Sequence, residues 1–259
     1  MFSLIGRSYL PVLAIAGLLA CSPAEERASD PLLLVSAASS LSRVLQQIRV
    51  DFETTTADRV VFNFGSSGSL TQQIRHGATV DVFASASQQY LDELRHEGHL
   101  ADTGLTLHGR LVVWTPPDEE PVATVDELTA LRFRRIALAH TKLAPYGRAA
   151  IEALQSSHVL TQVEPRLVQA PDVLTALRYA ESGSADAALT ALSLVGDTDG
   201  RWYTVPADLH LKVQLGIAVA TGSPRAQQAR RFVDHLSTPA AVSIFEANGL
   251  FLTTAQTAL

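Results

Sequence analysis

Apolar residues recur along the chain in two alternating patterns. Short apolar runs of strand length, "LLLVSA", "RVVFNF" and "VDVFASA", are each followed by a segment with apolar positions at helical spacing. In the first such segment, the apolar residues at helical spacing are Leu41, Val44, Leu45, Ile48 and Phe52. Strands that alternate with helices predict an α/β fold, with a parallel sheet covered by helices on both faces.

The same alternation resumes after "HGRLVVWTPP". It continues through "RIALAH", "APYGRAAIEALQSS" and "RLVQAPDVLTALRYAESGSADAALTAL", which predict strand, helix, strand, helix and strand. The apolar run "LHLKVQLGIAVATGS" is long enough to cross back from this second region to the first. Two predicted helices follow it in the C-terminal part of the sequence. The pattern therefore predicts one domain formed by residues 31–112 and 215–259, and a second formed by residues 113–214.

Small and hydroxyl-bearing residues occupy the loops where the first three predicted strands end. These loops read "SAASS", "FGSSGS" and "ASAS", and each leads into a predicted helix. Ligands of open α/β sheets bind outside the carboxyl ends of the strands, and a helix N-terminus offers unpaired N–H groups to an anion. No lysine or arginine lies in the three loops, so they predict an anion site made of neutral donors. The alternative is that these serines only cap helices and turn the chain.

The first thirty residues have the pattern of an export segment. Residues 1–20 combine Arg7 with the apolar stretch "YLPVLAIAGLLA", which is too short to span a membrane comfortably and is typical of a signal peptide. "LLAC" ends at Cys21, the only cysteine in the chain, and resembles the lipobox of bacterial lipoproteins. We expect lipidation at Cys21 and a tether over residues 21–30; the alternative is an ordinary secretory signal.

Composition and motifs argue against several functional classes. The chain has 259 residues, 47% hydrophobic, which fits a soluble globular protein, and its net charge of −6 disfavours a nucleic-acid partner. "GSSGS" lacks the last glycine of a nucleophile elbow, and no P-loop lysine is present. His96 and His99 lie at a helix end that is typical of a solvated face. The sequence predicts no enzyme, no cofactor and no metal-ion site, although a secreted serine hydrolase stays an alternative.

Four segments, taken together, resemble a known family. "VSAASSLSRVLQQIRVDFE", "FNFGSSGSLTQQIRHGATVDVFASAS", "LAPYGRAAIEAL" and "APDVLTALRYAESGSADAAL" are similar, in order and separation, to the periplasmic molybdate-binding proteins of ABC importers. The resemblance implies a two-domain, type II-like periplasmic binding protein, each domain a mainly parallel sheet flanked by helices, with the ligand cleft between the domains. It also implies a monomer outside the cytoplasm that binds molybdate or tungstate and delivers it to a membrane permease.

The resemblance also implies which residues bind the ligand. Ser40 and Ser67 match hydroxyl and amide donors of the family, and Ala86 matches a backbone donor that follows the third strand. Val173, just after the predicted N-cap Asp172, matches the backbone donor of the second domain.

One position departs from many members of that family. A tyrosine commonly follows the strand that here reads "DAALTAL", where this chain has Ala191. Another branch carries its tyrosine in an A-P-Y-G loop, here Tyr146, together with a hydroxyl residue at the position of Ser39. The resemblance thus implies a site formed by Ser39, Ser40, Ser67, Ala86, Tyr146 and Val173. Because of Ala191, a different oxyanion or a small polar solute stays open as the ligand.

Overall fold

Two β-sheets organise the part of the chain that the structure, a computed structural model, describes, which is residues 32–253. The strands are β1 Leu33–Ala38, β2 Val60–Gly65, β3 Val82–Ser85, β4 Leu100–Gly109, β5 Leu111–Thr115, β6 Ile136–Ala139, β7 Leu167–Ala170, β8 Ala187–Ala191, β9 Arg201–Thr204, β10 Val213–Ala220 and β11 Phe251–Leu252. The predicted signal peptide, the lipidation site Cys21 and the tether lie outside the described residues.

The helices are α1 Ser42–Thr56, α2 Ser67–Arg75, α3 Gln88–His96, α4 Pro145–Ser156, α5 Leu160–Val163, α6 Val173–Glu181, α7 Leu192–Val195, α8 Ala226–His235 and α9 Pro239–Ala247. The apolar face predicted for the first helix is confirmed, because all five of its predicted residues are fully buried. The left-handed cap predicted after α2 is also confirmed, since Gly77 has φ +86°. None of the helices within the described range is long and apolar enough to span a bilayer.

Each sheet forms the centre of a lobe. The first lobe contains the six-stranded sheet with order β11-β4-β10-β3-β1-β2, and the second lobe contains the five-stranded sheet with order β7-β6-β8-β5-β9. Strand β1 is parallel to β2 and β3, and β6 is parallel to β7 and β8, as the alternating pattern predicted. The other pairs are antiparallel, so the sheets are mixed where mainly parallel ones were predicted. The reason is that every antiparallel pair includes β4, β5 or β10, the strands next to the crossings between the sheets, where no crossover helix returns the chain to run parallel.

The chain changes lobe twice. It leaves the first sheet between β4 and β5, and it returns between β9 and β10, each within two residues of a predicted domain boundary. Both lobes belong to one compact unit. That the lobes act as separate domains stays a prediction.

Candidate functional site

The carboxyl ends of β1, β2 and β3 meet at one edge of the first sheet, because these three strands are parallel. A 3₁₀ turn, Ser39–Leu41, follows β1, helix α2 begins at Ser67 after β2, and Ala86 follows β3. The second lobe closes this edge with the first turns of α4 and α6. The cavity between them is lined by Ala38, Ser39, Ser40, Gly65, Ser66, Ser67, Ala86, Ala144, Pro145, Tyr146 and Val173.

All six residues assigned by resemblance therefore line one cavity, although they come from five separate segments of the chain. The cavity measures about 10 Å³, close to the roughly 10–15 Å³ that a single water molecule needs. None of the described residues that line it is charged. A solute held here contacts hydroxyl and backbone groups and no charged side chain.

Two of the lining hydroxyls are buried and have no hydrogen bond of good geometry, although they lie close enough to each other to interact. Ser40 is 1% exposed and Tyr146 is 2% exposed, and neither Ser40 Oγ nor Tyr146 Oη has a partner of good geometry. Burial raises the pKa of the Tyr146 hydroxyl well above its usual range, and the nearby Ser40 hydroxyl lowers this pKa by less. Tyr146 therefore stays protonated at neutral pH. Since buried polar groups are nearly always satisfied, two unpaired hydroxyls in one cavity are open to a partner from outside the fold, either a water molecule or a ligand.

The Ser67 hydroxyl is free to donate a hydrogen bond. Its Oγ accepts a hydrogen bond of 2.9 Å from the backbone amide of Ala86, so its own O–H is left for another acceptor. The Ala86 amide, assigned to the ligand by resemblance, is engaged with Ser67 in this arrangement. Ala86 thereby fixes the position of the Ser67 hydroxyl at the cavity wall.

The N-terminus of α6 lies at the cavity, whose lining includes Val173. The Asp172 carboxylate caps this helix by accepting hydrogen bonds from the amides of Leu174 and Thr175, at 2.9 and 3.1 Å. No hydrogen bond within the described residues uses the amide of Val173, which precedes them. The hydroxyl of Thr190 donates to the Val173 carbonyl at 3.1 Å and helps to fix this turn. The end of a helix dipole and one free N–H thus lie at the second-lobe side of the cavity.

The serines in these loops do not cap the helices that follow them. Ser66 and Ser87 occupy N-cap positions of α2 and α3, yet neither side chain accepts a cap hydrogen bond. The Ser66 hydroxyl instead donates to Ser69 Oγ at 2.8 Å. The capping part of the alternative interpretation is therefore not what the hydrogen bonds show, whereas its turn part applies to Ser85, whose hydroxyl accepts from the Ser87 amide at 3.0 Å.

Hydrogen bonds and an ion pair join the two lobes beside the cavity. The buried Ser193 hydroxyl, on α7, donates to the Ser40 carbonyl at 2.6 Å, and the Gly68 amide donates to the Leu143 carbonyl at 2.8 Å. Arg43 of α1 pairs with Asp197 in the second lobe. Sequence reasoning missed Ser193, because a serine in "ALSLV" carries no local signal of a partner 153 positions away.

The position of Tyr146 depends on a glycine at the crossing between the lobes. A Cβ atom on Gly109, the last residue of β4, would overlap Tyr146 Oη. Ala191, which replaces the family's more common tyrosine, is fully buried at the end of β8 and does not line the cavity. The tyrosine hydroxyl of this site therefore comes from the start of α4. Within residues 32–253, no group of three or more potential metal-ligating side chains is found.

Comparisons with known proteins point in the same direction as the geometry. Residues 33–251 match the family described as bacterial extracellular solute-binding protein. The molybdate-binding protein ModA of Escherichia coli is 31% identical over 95% of this chain and 98% of its own. YvgL of Bacillus subtilis, named a putative ABC transporter substrate-binding lipoprotein, is 27% identical over 92% of this chain and 93% of its own.

A solved structure has the same architecture. The periplasmic molybdate-binding protein of Azotobacter vinelandii superposes with a TM-score of 0.79 and 27% identity, covering 86% of this chain and 100% of that one. The fold predicted from the sequence, that of a periplasmic binding protein, is thereby confirmed, and so is the predicted resemblance. These relatives are solute-binding proteins rather than enzymes, and nothing among them favours a serine hydrolase. Because the family match spans most of its length, this chain belongs to the bacterial extracellular solute-binding proteins.

Proposed function

We propose that this protein binds molybdate or tungstate outside the cytoplasm and presents it to the membrane permease of an ABC importer. The observation that carries the proposal is the pair of buried, unpartnered hydroxyls of Ser40 and Tyr146 in an uncharged cavity. The names of the similar proteins supply the ligand class, since two of them are called molybdate-binding.

The donor set suits a fully ionised tetrahedral anion. In this proposal the hydroxyls of Ser39, Ser40, Ser67 and Tyr146 and the amide of Val173 donate to the oxyanion, and Ala86 positions Ser67. Charge-assisted hydrogen bonds of this kind are stronger than neutral ones, so an anion is held without a basic side chain.

The same donor set disfavours phosphate. Phosphate retains a proton near neutral pH and binds best where an acceptor takes that proton, but the lining residues include no aspartate or glutamate. Sulfate has the charge and shape of molybdate but shorter bonds. We expect sulfate to bind much more weakly. Contacts between the lobes hold the donors in place, so the donors cannot move inward to reach the oxygens of a smaller ion.

The N-terminal features complete the proposal. We infer that residues 1–20 direct export and that Cys21 is acylated, so that the body sits on a lipid anchor outside the cytoplasm, as a monomer. The support is the cysteine that closes the apolar run, together with the word lipoprotein in the name of one relative.

The function is tested by thermal unfolding of a soluble form that begins at Ser22, with and without each of four oxyanions. Ligand at about a thousand times its dissociation constant adds roughly 4 kcal/mol to the free energy of unfolding. For a chain of this size that raises the melting temperature by roughly 8 to 16 °C. We expect this shift with molybdate and tungstate, and little or none with sulfate and phosphate. A chain that melts at the same temperature with all four does not bind these oxyanions.

A further inference from the structure

A second pocket adjoins the ligand cavity. We call it the antechamber; it lies between the residues that open α3, the first two turns of α4, and Leu211–Val213. It measures about 190 Å³, more than ten times the roughly 10–15 Å³ that one water molecule needs. Ala86 and Pro145 line both the antechamber and the cavity, so the two spaces share a wall.

The antechamber carries two cationic side chains that no ion pair neutralises. Arg148 and Lys212 line it, and neither forms an ion pair with any residue in the range 32–253. The Arg148 guanidinium lies 6.0 Å from the centre of the Tyr90 ring, which helps to hold it in place. The one carboxylate in the lining, that of Glu152, accepts a 2.9 Å hydrogen bond from the Leu211 amide. The balance of formal charge in the antechamber is positive, whereas that of the whole chain is −6.

One further fixed cation, that of Arg110, lies near Lys212. Lys212 also lines a neighbouring pocket at the crossings between the lobes, together with His108, Arg110 and His210. The described residues that line this pocket include no aspartate or glutamate. Arg148, Lys212 and Arg110 thus line two neighbouring pockets, the first of which shares a wall with a cavity whose lining carries no charge.

We propose that the antechamber is an encounter site for the oxyanion, in which Arg148 and Lys212 attract the dianion before it passes into the cavity. This inference rests on the proposed function. A chain of net negative charge repels a dianion at long range, and a neutral cavity offers it no long-range attraction. Unpaired cations in the antechamber raise the local concentration of the ion and with it the association rate.

The test is the association rate constant for molybdate, measured by stopped-flow mixing at about 10 mM salt, with the dissociation constant from calorimetry. For a dianion about 10 Å from each charge in water, we expect Arg148→Gln and Lys212→Gln each to slow association about threefold. The double variant slows it about tenfold. Glu152→Gln has the opposite effect and speeds association about threefold, while Arg148→Lys, which keeps the charge, leaves it unchanged.

The matched control is Arg134→Gln. Arg134 is exposed and precedes β6, at the end of that strand away from the cavity, so its loss changes the net charge equally without touching the antechamber. At about 0.5 M salt the association rates of the variants become equal. The Debye length is then only a few ångströms, so salt screens the attraction between the dianion and each cationic side chain. The encounter site is overturned if the Arg148 and Lys212 variants match Arg134→Gln at low salt, or if they act through the dissociation rate. Failure of the unaltered protein to bind any oxyanion in calorimetry would instead reject the proposed function, and this inference with it.

Discussion

The hydroxyls of Ser40 and Tyr146 are the residue-scale feature on which the site depends. Leaving a buried hydroxyl without a partner costs about 1–3 kcal/mol, and an apolar group of the same shape at that position avoids the cost. The folded protein therefore bears this free-energy cost for two hydroxyls in the same cavity. An oxyanion that accepts from both removes this cost as it binds, which adds to its affinity.

Replacement of Tyr146 by phenylalanine tests this directly. Hydrogen bonds to charged groups contribute about 1.5–3 kcal/mol, so Tyr146→Phe is expected to weaken molybdate binding by about 10-fold to 100-fold in calorimetry. The melting temperature without ligand stays the same or rises, because a buried unpaired group is removed.

Tyr203→Phe, on β9 and outside the cavity lining, is the control and leaves affinity unchanged. Equal affinities for Tyr146→Phe and the unaltered protein would eliminate the ligand role of Tyr146. A lower melting temperature for Tyr146→Phe without ligand would show that the hydroxyl has a partner within the fold.

At the scale of elements, the 3₁₀ turn after β1 is positioned from both lobes. Its Ser40 carbonyl receives the Ser193 hydroxyl of α7 at 2.6 Å. Ser193→Ala leaves that buried carbonyl unsatisfied, and we expect a loss of about 1–3 kcal/mol in the free energy of unfolding by urea. Molybdate affinity falls as well, since the donors on this turn are less firmly held.

The control for this variant is Ser184→Ala, an exposed change in the loop after α6, which alters the free energy of unfolding by less than about 0.5 kcal/mol. If the two variants unfold at the same urea concentration, the contact between α7 and the 3₁₀ turn does not contribute to stability.

The elements that position the site were predictable because their patterns are local. Three apolar runs followed by helical periodicity identify β1 to β3 and α1 to α3, and parallel strands bring their terminal loops to one edge. Strand β4 was not predicted, because "LADTGLTLHG" has few apolar residues and contains two glycines. Its strand conformation depends on pairing with β10, which lies a hundred residues later. Contacts of this kind leave no mark in a single sequence.

At the scale of the whole molecule, the cavity is lined by residues of both lobes. Its lining residues are mostly buried, and the space inside, about 10 Å³, is close to that of one water molecule and too small to hold a tetrahedral oxyanion. We therefore expect the lobes to separate to admit the ion and then close around it, with the backbone bending at the two crossings between the sheets.

Small-angle X-ray scattering on the form that begins at Ser22 measures this motion. We expect saturating molybdate to lower the radius of gyration towards the roughly 18 Å of a compact chain of this length. Sulfate at the same concentration serves as the control and leaves the radius unchanged. A radius that is identical with and without molybdate would mean that the lobes do not move on binding.

The uncharged lining of the cavity has a consequence for unloading. An ion that leaves a site built around arginine or lysine separates opposite charges and leaves an uncompensated cation inside the protein, which costs several kcal/mol. An ion that leaves hydroxyls and amides breaks only hydrogen bonds, and water replaces these as the lobes part. Transfer of the ion to a transporter then requires no separation of charge within the protein. Because the cavity lining is uncharged, it binds the ion by hydrogen bonds alone, and for the same reason it releases the ion readily.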